Sequence, residues 1–324
     1  MAFDKDQKRK ALGISAKYGT IIGLVLMIVV FSALKPKAFA TANNFLNILN
    51  QSSLSAIIAC GLTAVVIVGE FDMSIGYTAS IAGVLVTGLM VNQHLPLGIA
   101  IVLTLIVCLF FGLLNGLIIT KLKVSSVIAT IGTGGIILGL NYAYGNGKTI
   151  ATGFDKLFTD MTLARLFGVV PINILYMALI LVIVWVVINK TELGQRIQAV
   201  GCNAVAARLS GIYVDRIKTV SFMISSLCAG ITGILLSSVL GSGTSNAGDS
   251  YLMNTFAAVY LGSATLKDGE FHILGTFIGV LIIRIVFNGL AIFGVPTFFQ
   301  YIAQGAILVL AVSMSTVSRL YAKA

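Results

Sequence analysis

The 324-residue chain is 58% hydrophobic and only 10% charged, and its mean hydropathy is +1.02. Soluble domains are about a quarter charged, so this composition excludes an ordinary soluble protein and indicates an integral membrane protein. The formal net charge of +10 would suit a nucleic-acid partner, but the positions of the basic residues explain it through membrane topology instead, and no nucleic acid is expected.

Ten apolar stretches are candidates for membrane-spanning helices, because a helix needs about 20 apolar residues to cross a bilayer. The third and eighth are weaker, since polar residues interrupt their ends. The pattern predicts an all-α integral membrane protein with about ten transmembrane helices in a single domain over residues 1–324. In chain order the predicted spans are residues 18–34, 51–69, 74–91, 97–120, 124–144, 172–189, 219–240, 252–266, 273–292 and 298–316.

Lysine and arginine residues predict which side of the membrane each loop occupies, because they concentrate in cytoplasmic loops. With the N-terminus inside, fifteen of them fall in inner segments and five in outer segments. This bias predicts cytoplasmic N- and C-termini, a cytoplasmic tail over residues 1–17 and a long inner loop over residues 190–218.

That inner loop contains the stretch "AVGCNAVAARLSGIYVDRIK", which is far more polar than its surroundings. Asn203 is a plausible helix N-cap and Gly211 a plausible C-terminal stop. Val205, Leu209 and Ile212 are spaced to share one helix face. Such a short helix either inserts apolar side chains into a groove on another protein or connects two spans along the membrane surface.

A second polar feature is the stretch "VVIVGEFDMSIGYT" between the second and third spans. Carboxylates within a bilayer are costly, so Glu70 and Asp72 are not expected to face lipid. They could form a proton relay, a cation site or a polar wall of a solute path. Asp72 could instead cap the next helix through the amides of residues 74 and 75. Arg284, within the ninth span, is a candidate partner for Glu70; it could bind solute or hold two helices together.

Asn115 and Asn288 occur in the same tripeptide, "NGL", at ends of the fourth and ninth spans that lie on opposite membrane sides. This placement is what an inverted repeat of spans two to five and seven to ten would produce. Other polar residues in or near spans either hold helices together or contact solute. The candidate residues of the solute path are therefore Gln51, Glu70, Asp72, Ser74, Asn115, Asn141, Arg284, Asn288 and Gln304.

Motifs for catalysis are missing from the sequence. No Walker-type phosphate loop is present, so ATP binding in that mode would require another chain. His94 and His272 are isolated, so no metal site is predicted. No Ser/His/Asp arrangement stands in a recognisable motif. An enzyme is therefore not expected.

The polar inner stretch resembles the coupling segment of permease subunits of ribose-type ABC sugar importers, members of the branched binding-protein-dependent transport permease family. Four further stretches resemble that family in the same order, over residues 39 to about 312: "FATANNFLNILNQSS", "GEFDMSIG", "FGLLNGLIITKLKVSSVIATIGT" and "AAVYLGSATLKDGEFHILGTFIGVLI". Asp72, Ser74 and Gly76 match the family pattern, whereas Glu70 and Phe71 depart from it. In the coupling segment the family residues are Gly201, Asn203, Ala206, Ala207, Ser210, Gly211, Ile212, Arg216 and Lys218.

The resemblance implies a permease of the bacterial cytoplasmic membrane that imports a pentose, hexose or polyol. It implies a second permease subunit, ABC ATPases that bind ATP and Mg²⁺ beneath the membrane, and a solute-binding protein outside. This chain itself would hold no cofactor. Two alternatives compete: a proton-coupled secondary transporter that uses Glu70 or Asp72, and a membrane enzyme or flippase for lipid-linked sugars. The residues expected to contact the ATPase are Asn203, Val205, Ala206, Ala207, Arg208, Leu209, Ser210, Gly211 and Ile212.

Overall fold

The computed structural model describes residues 21–322 apart from 152, 155 and 264–268, so the predicted tail 1–17 lies outside the described residues. Helices dominate the described chain. The first seven are α1 (Ile21–Leu34), α2 (Ala42–Ile67), α3 (Ile75–Val91), α4 (Leu97–Lys121), α5 (Ser126–Gly145), α6 (Lys156–Leu163) and α7 (Ile172–Lys190). The remaining six are α8 (Glu192–Cys202), α9 (Ala204–Leu209), α10 (Val214–Leu240), α11 (Asp249–Ser263), α12 (Ile273–Ile292) and α13 (Thr297–Ala322).

Each of the ten apolar stretches forms a helix. Among the residues that the structure describes, six helices are long and apolar enough to cross a membrane by length and composition: α2, α4, α5, α7, α10 and α12. Three further apolar helical stretches are only 10–17 residues long: Ile21–Leu34, Ile75–Val91 and Thr297–Leu310, the last of which is the first part of α13. The all-α, multi-pass architecture is therefore confirmed.

Two helices begin well before the predicted spans. Helix α2 begins at Ala42 rather than at residue 51, and its added polar turn is accommodated because Asn44 and Asn288 exchange side-chain hydrogen bonds of 3.0 and 2.9 Å. Helix α10 begins at Val214 rather than at residue 219. The hydropathy pattern did not include its first turn because that turn is charged. In the structure, Val214 and Ile217 of this turn are buried in an apolar cluster.

The described chain divides into two compact units. The first contains the described residues of Met1–Ser52 and Met253–Ala324, and the second contains Ser53–Leu252. In the first unit, Phe39, Ile48 and Ile285 form a small buried core. The rings of Phe31 and Phe39 pack at 5.3 Å between centroids.

The second unit is built around α10, which packs closely on α3 and α4 through glycines. A Cβ placed on Gly233 of α10 would lie 2.0 Å from the carbonyl oxygen of Ala79 in α3. A Cβ on Gly112 of α4 would lie 2.7 Å from the carbonyl oxygen of Phe222 in α10. Small residues at such positions let helix backbones approach closely, which is how helices associate in membranes.

Loops that were predicted to share a membrane side contact one another within the second unit. Ile150 and Gly243, from one long and one short segment that the predicted topology places outside, form an isolated antiparallel bridge. On the predicted inner side, Lys123 approaches Asp215 and Glu70 pairs with Lys218. Each of these contacts joins segments that the charge pattern assigns to the same side of the membrane.

The long loop between α5 and α7 is partly ordered. It contains α6 and a short hairpin of β1 (Arg165–Leu166) and β2 (Val170–Pro171), in which Leu166 pairs with Val170. Phe158 of α6 is fully buried, and the hydroxyls of Thr162 and Ser238 lie 2.7 Å apart. Helix α6 is thus fixed to α10, an element the apolar pattern did not predict because it is too short to span a membrane.

Candidate functional site

The stretch between α7 and α10 forms a packed platform rather than a loose connector. Helix α8 is amphipathic and buries Ile197 and Val200 against Val68, Val214 and Ile217. It follows α7 through a tight turn in which the Thr191 hydroxyl accepts a hydrogen bond from the Gly194 amide. The short helix that follows is therefore held on a packed base.

Helix α9 is capped as the sequence predicts. The Asn203 side-chain oxygen accepts hydrogen bonds from the amides of Val205 and Ala206, both at 3.0 Å. Gly211 has a φ of +83°, a left-handed conformation that ends the helix. We call residues 203–212 the coupling segment; its residues Asn203, Ala206, Arg208, Ser210 and Gly211 are exposed and Ala207 is buried.

The apolar face of the coupling segment differs from the prediction at one residue. Val205 and Leu209 are 71% and 84% exposed, so two apolar side chains project outward. Ile212 instead packs on the apolar cluster that includes Val200 and Ala207. The reason is that α9 ends at Leu209 and the left-handed Gly211 redirects the chain, so Ile212 no longer follows the helix period.

Removal of the Asn203 cap should loosen α9. Asn203→Ala leaves the amides of Val205 and Ala206 without their acceptor, which costs about 0.5–2 kcal/mol at a helix N-terminus. We expect these two amides to exchange hydrogen several-fold faster, measured by hydrogen–deuterium exchange in detergent. Asn203→Asp, which keeps the acceptor, is the control and should exchange like the wild type. Unchanged exchange in Asn203→Ala would contradict the capping role.

Residues 68–74, which we call the bend, join α2 to α3 and carry a fully buried carboxylate. Asp72 accepts hydrogen bonds from the Ser74 amide at 3.0 Å, the Ser74 hydroxyl at 2.6 Å and the Ser225 hydroxyl at 2.8 Å. Burial raises the pKa of the Asp72 carboxyl, and the hydrogen bonds from Ser74 and Ser225 partly oppose that rise. Of the two amides in the predicted cap, those of residues 74 and 75, the contact is present at residue 74, which immediately precedes α3.

Asn115 extends this network to two further helices. Its side-chain nitrogen donates to the Ser74 hydroxyl at 2.9 Å, and its oxygen accepts from the Thr133 hydroxyl at 2.5 Å. All these side chains are buried. The predicted candidates Asp72, Ser74 and Asn115 therefore lie together, and their hydrogen-bonding groups are directed at one another.

Glu70 has a basic partner in the structure, but it differs from Arg284, the partner that the sequence suggested. The Glu70 carboxylate accepts a short hydrogen bond from the Lys218 ammonium. Their side chains are only 14% and 23% exposed. The two residues are 148 positions apart, so no local pattern in the sequence could have shown the pair.

The remaining candidates are dispersed. Asn141 lies near the C-terminal end of α5, and its side-chain nitrogen donates a hydrogen bond to the Ser245 carbonyl at 2.8 Å. Arg284 and Asn288 lie half-buried on α12, and Asn288 bonds to Asn44. Gln51 is exposed on α2, whereas Gln304 is buried on α13.

A cavity of about 440 Å³ lies beside the coupling segment. Ala204, Val205 and Arg208 line one side, and the turn after α4 lines the other with Lys123 and Ser125. Arg208 reaches across to Asp215 of α10, with 3.1 Å between its guanidinium nitrogen and the carboxylate oxygen. Among the described residues, no group of three or more His, Cys, Asp or Glu is placed to hold a metal ion.

Sequence reasoning missed Ser225 and Thr133, which complete the network around Asp72. Single hydroxyls in apolar helices are common and usually bond within their own helix. The spacing of Ser221 and Ser225 places them on one face of α10, but that signal does not distinguish a contact with a carboxylate from a local bond. Ser221 in fact bonds to the Ile217 carbonyl.

These features define a multi-pass helical membrane protein in which a folded segment between α7 and α10 exposes apolar side chains. Residues 44–312 match the family described as the permease component of the branched-chain amino acid transport system. The chain belongs to this family of permease components. It is therefore a multi-pass protein of the bacterial cytoplasmic membrane, and the predicted resemblance is confirmed.

Three relatives indicate where the chain lies within the family. The ribose import permease protein RbsC of Bacillus subtilis is 37% identical over 301 residues, which are 93% of this chain and 92% of the relative. The Escherichia coli K12 protein of the same name is 34% identical, covering 90% and 91%. The D-allose transport system permease protein AlsC of that strain is 29% identical, covering 92% and 91%. No solved structure matches the chain.

Proposed function

We propose that this chain is the permease subunit of an ATP-driven, binding-protein-dependent importer of a sugar or sugar-like solute. Relatives named for ribose and allose transport support the substrate class. The observation that carries the mechanism is the coupling segment, where exposed Val205 and Leu209 stand on a packed platform. Large apolar side chains projecting from a folded segment are suited to a groove on another protein.

The proposed partners follow from this role. Two permease subunits form the pathway, ABC ATPases bind ATP and Mg²⁺ beneath them, and a solute-binding protein delivers the sugar from outside. This chain contributes no catalytic residue and no cofactor site. ATP drives transport because the two nucleotide states of the ATPases bind the outward-open and inward-open permease with different free energies.

The proposed topology has ten spans, formed by α1–α5, α7 and α10–α13, with both termini in the cytoplasm. The predicted charge bias supports it, as do the loop contacts on each side of the second unit. Spans two to five and seven to ten are proposed to be inverted repeats. The coupling segment, the bend and the turn after α4 then all face the cytoplasm.

Polar side chains within spans are proposed to line the solute path, because they are costly unless they face protein or a wet cavity. The candidates are Gln51, Asn141, Arg284, Asn288 and Gln304. Asp72, Ser74 and Asn115 have a supporting role in this proposal, since their polar atoms bond to one another and hold the bend.

The proposal is tested with the chain purified together with the ATPase and binding protein encoded with it and reconstituted in lipid. The double variant Val205→Asp/Leu209→Asp should lose ATPase co-purification or its stimulation by sugar-loaded binding protein about tenfold or more, because two charges would be buried in an apolar groove. D-ribose, D-allose and D-galactose are the sugars to try.

Leu122→Asp is the matched control, since Leu122 is 70% exposed on the same predicted side but outside the coupling segment. We expect this variant to retain association and stimulation. A double variant that folds and is stimulated like the wild type would refute the coupling role of the segment.

A further inference from the structure

The ion pair between Glu70 and Lys218 is unlike the surface pairs near it. Its side chains are 14% and 23% exposed, whereas Glu192 and Arg196 of α8 are 76% and 48% exposed. Exposed pairs contribute little, because water and salt screen them. A pair that is largely withdrawn from water resists separation more strongly, since each charge left alone would be poorly solvated.

Each partner of this pair belongs to an element with a distinct role. Lys218 lies in the first turns of α10, six residues after the coupling segment ends. Glu70 lies in the bend, whose backbone is attached to α5: the Phe71 amide donates to the Ser126 hydroxyl at 3.2 Å and the Met73 amide to the Thr130 hydroxyl at 3.0 Å. The pair therefore connects the start of α10 to a backbone stretch fixed on α5.

The coupling segment is itself connected to the same turns of α10. Asp215 bonds to Arg208 of α9, and Lys123 approaches the same carboxylate oxygen at 3.8 Å. The cavity of about 440 Å³ leaves space between α9 and the turn after α4. Asp215 and Lys218 thus connect the first turns of α10 to α9 on one side and to Glu70 of the bend on the other.

We propose that Glu70 is a positioning residue that transmits displacement of the coupling segment, through Lys218, to the bend and its buried Asp72. The inference rests on the proposed function, because the displacement comes from a bound ATPase.

The test compares Glu70→Gln and Lys218→Met with the charge-reversed pair Glu70→Lys/Lys218→Glu, in the reconstituted complex with D-ribose as probe. Glu192→Gln, which makes the same chemical change in an exposed ion pair, is the matched control. The readouts are the ratio of stimulated to basal ATP hydrolysis and the sugar concentration that gives half-maximal stimulation. Thermal midpoints check that each variant is folded.

We expect both single variants to lower the stimulation ratio about fivefold or more, the lower limit typical of allosteric coupling, with an unchanged half-maximal sugar concentration. The reversed pair should recover at least half of the wild-type ratio, and Glu192→Gln should match the wild type. In hydrogen exchange, binding of the ATPase should alter protection of the amides of Phe71 and Met73 in the wild type and not in Glu70→Gln.

Three results would overturn the inference. One is a stimulation ratio in Glu70→Gln equal to that of the wild type. Another is a stimulation ratio that is lowered in the single variants and not recovered by the reversed pair. The third is a shift in half-maximal sugar concentration, which would show that Glu70 contacts solute. If the wild-type complex shows no association with the ATPase and no stimulation, the proposed function itself fails, and that result is distinct from all three.

Discussion

Replacing Gly233 with leucine should abolish folding of the second compact unit. A Cβ at this position would lie 2.0 Å from the Ala79 carbonyl oxygen and 2.9 Å from the Ala82 Cβ, so α3 and α10 could not pack at their present separation. The obstructing atom is backbone, which no rotamer change can move. Because overpacking a core costs about 1–3 kcal/mol even for small additions, a leucine here should cost about 3 kcal/mol or more.

Gly98 provides the matched control, because a Cβ there would meet nothing within 4 Å. Gly98→Leu should give the wild-type yield and melting midpoint, whereas Gly233→Leu should aggregate or elute as misfolded protein in size-exclusion chromatography. Gly233→Ala should be intermediate. A Gly233→Leu protein that melts with the wild-type midpoint would show that the close contact between α3 and α10 is not needed for the fold.

Helix positions could be predicted from the sequence where an apolar run ends at turn-forming residues. The ninth predicted span and α12 share the bounds 273–292, for example. Predictions failed where tertiary contacts change the cost of polar residues. The predicted second span begins at residue 51, after a stretch rich in asparagine. In the structure the Asn44 side chain bonds to the Phe39 carbonyl and to the distant Asn288, and these contacts make it acceptable within a helix.

At the candidate site, too, local features could be predicted from the sequence and tertiary contacts could not. The cap by Asn203 and the stop at Gly211 were predictable, because both act within a few residues of the chain. The partner of Glu70 and the contact of Ser225 with Asp72 depend on residues far away in sequence. Periodicity cannot supply such pairings, since it describes one element at a time.

The second large effect is expected at Asp72, and it depends on shape and hydrogen bonding rather than charge. Three donors converge on this buried carboxylate, from Ser74 and Ser225. Asp72→Ala would leave these donors without an acceptor, at a cost of about 1–3 kcal/mol for each one that stays buried and unpaired. We expect a clear fall in melting midpoint and loss of sugar uptake into proteoliposomes.

Asp72→Asn separates that role from proton carriage. Asparagine keeps an oxygen for the two donors of Ser74, and the Ser225 hydroxyl can rotate to accept from the new amide. We therefore expect a melting midpoint close to that of the wild type and ATP-dependent uptake within about threefold of it, since exchanging one hydrogen bond for another changes stability by no more than the worth of a single bond, about 0.5–1.5 kcal/mol.

A proton-coupled transporter requires the opposite result, because a proton carrier must ionise during every cycle. In that mechanism, with Asp72 as the carrier, Asp72→Asn would fold normally and transport nothing, and a protonophore would stop uptake by the wild type even with ATP present. Uptake by Asp72→Asn that continues with ATP after the proton gradient is collapsed therefore assigns the energy source to the ATPase. Asp72 then acts by holding the bend to α10, where the movement of the coupling segment is received.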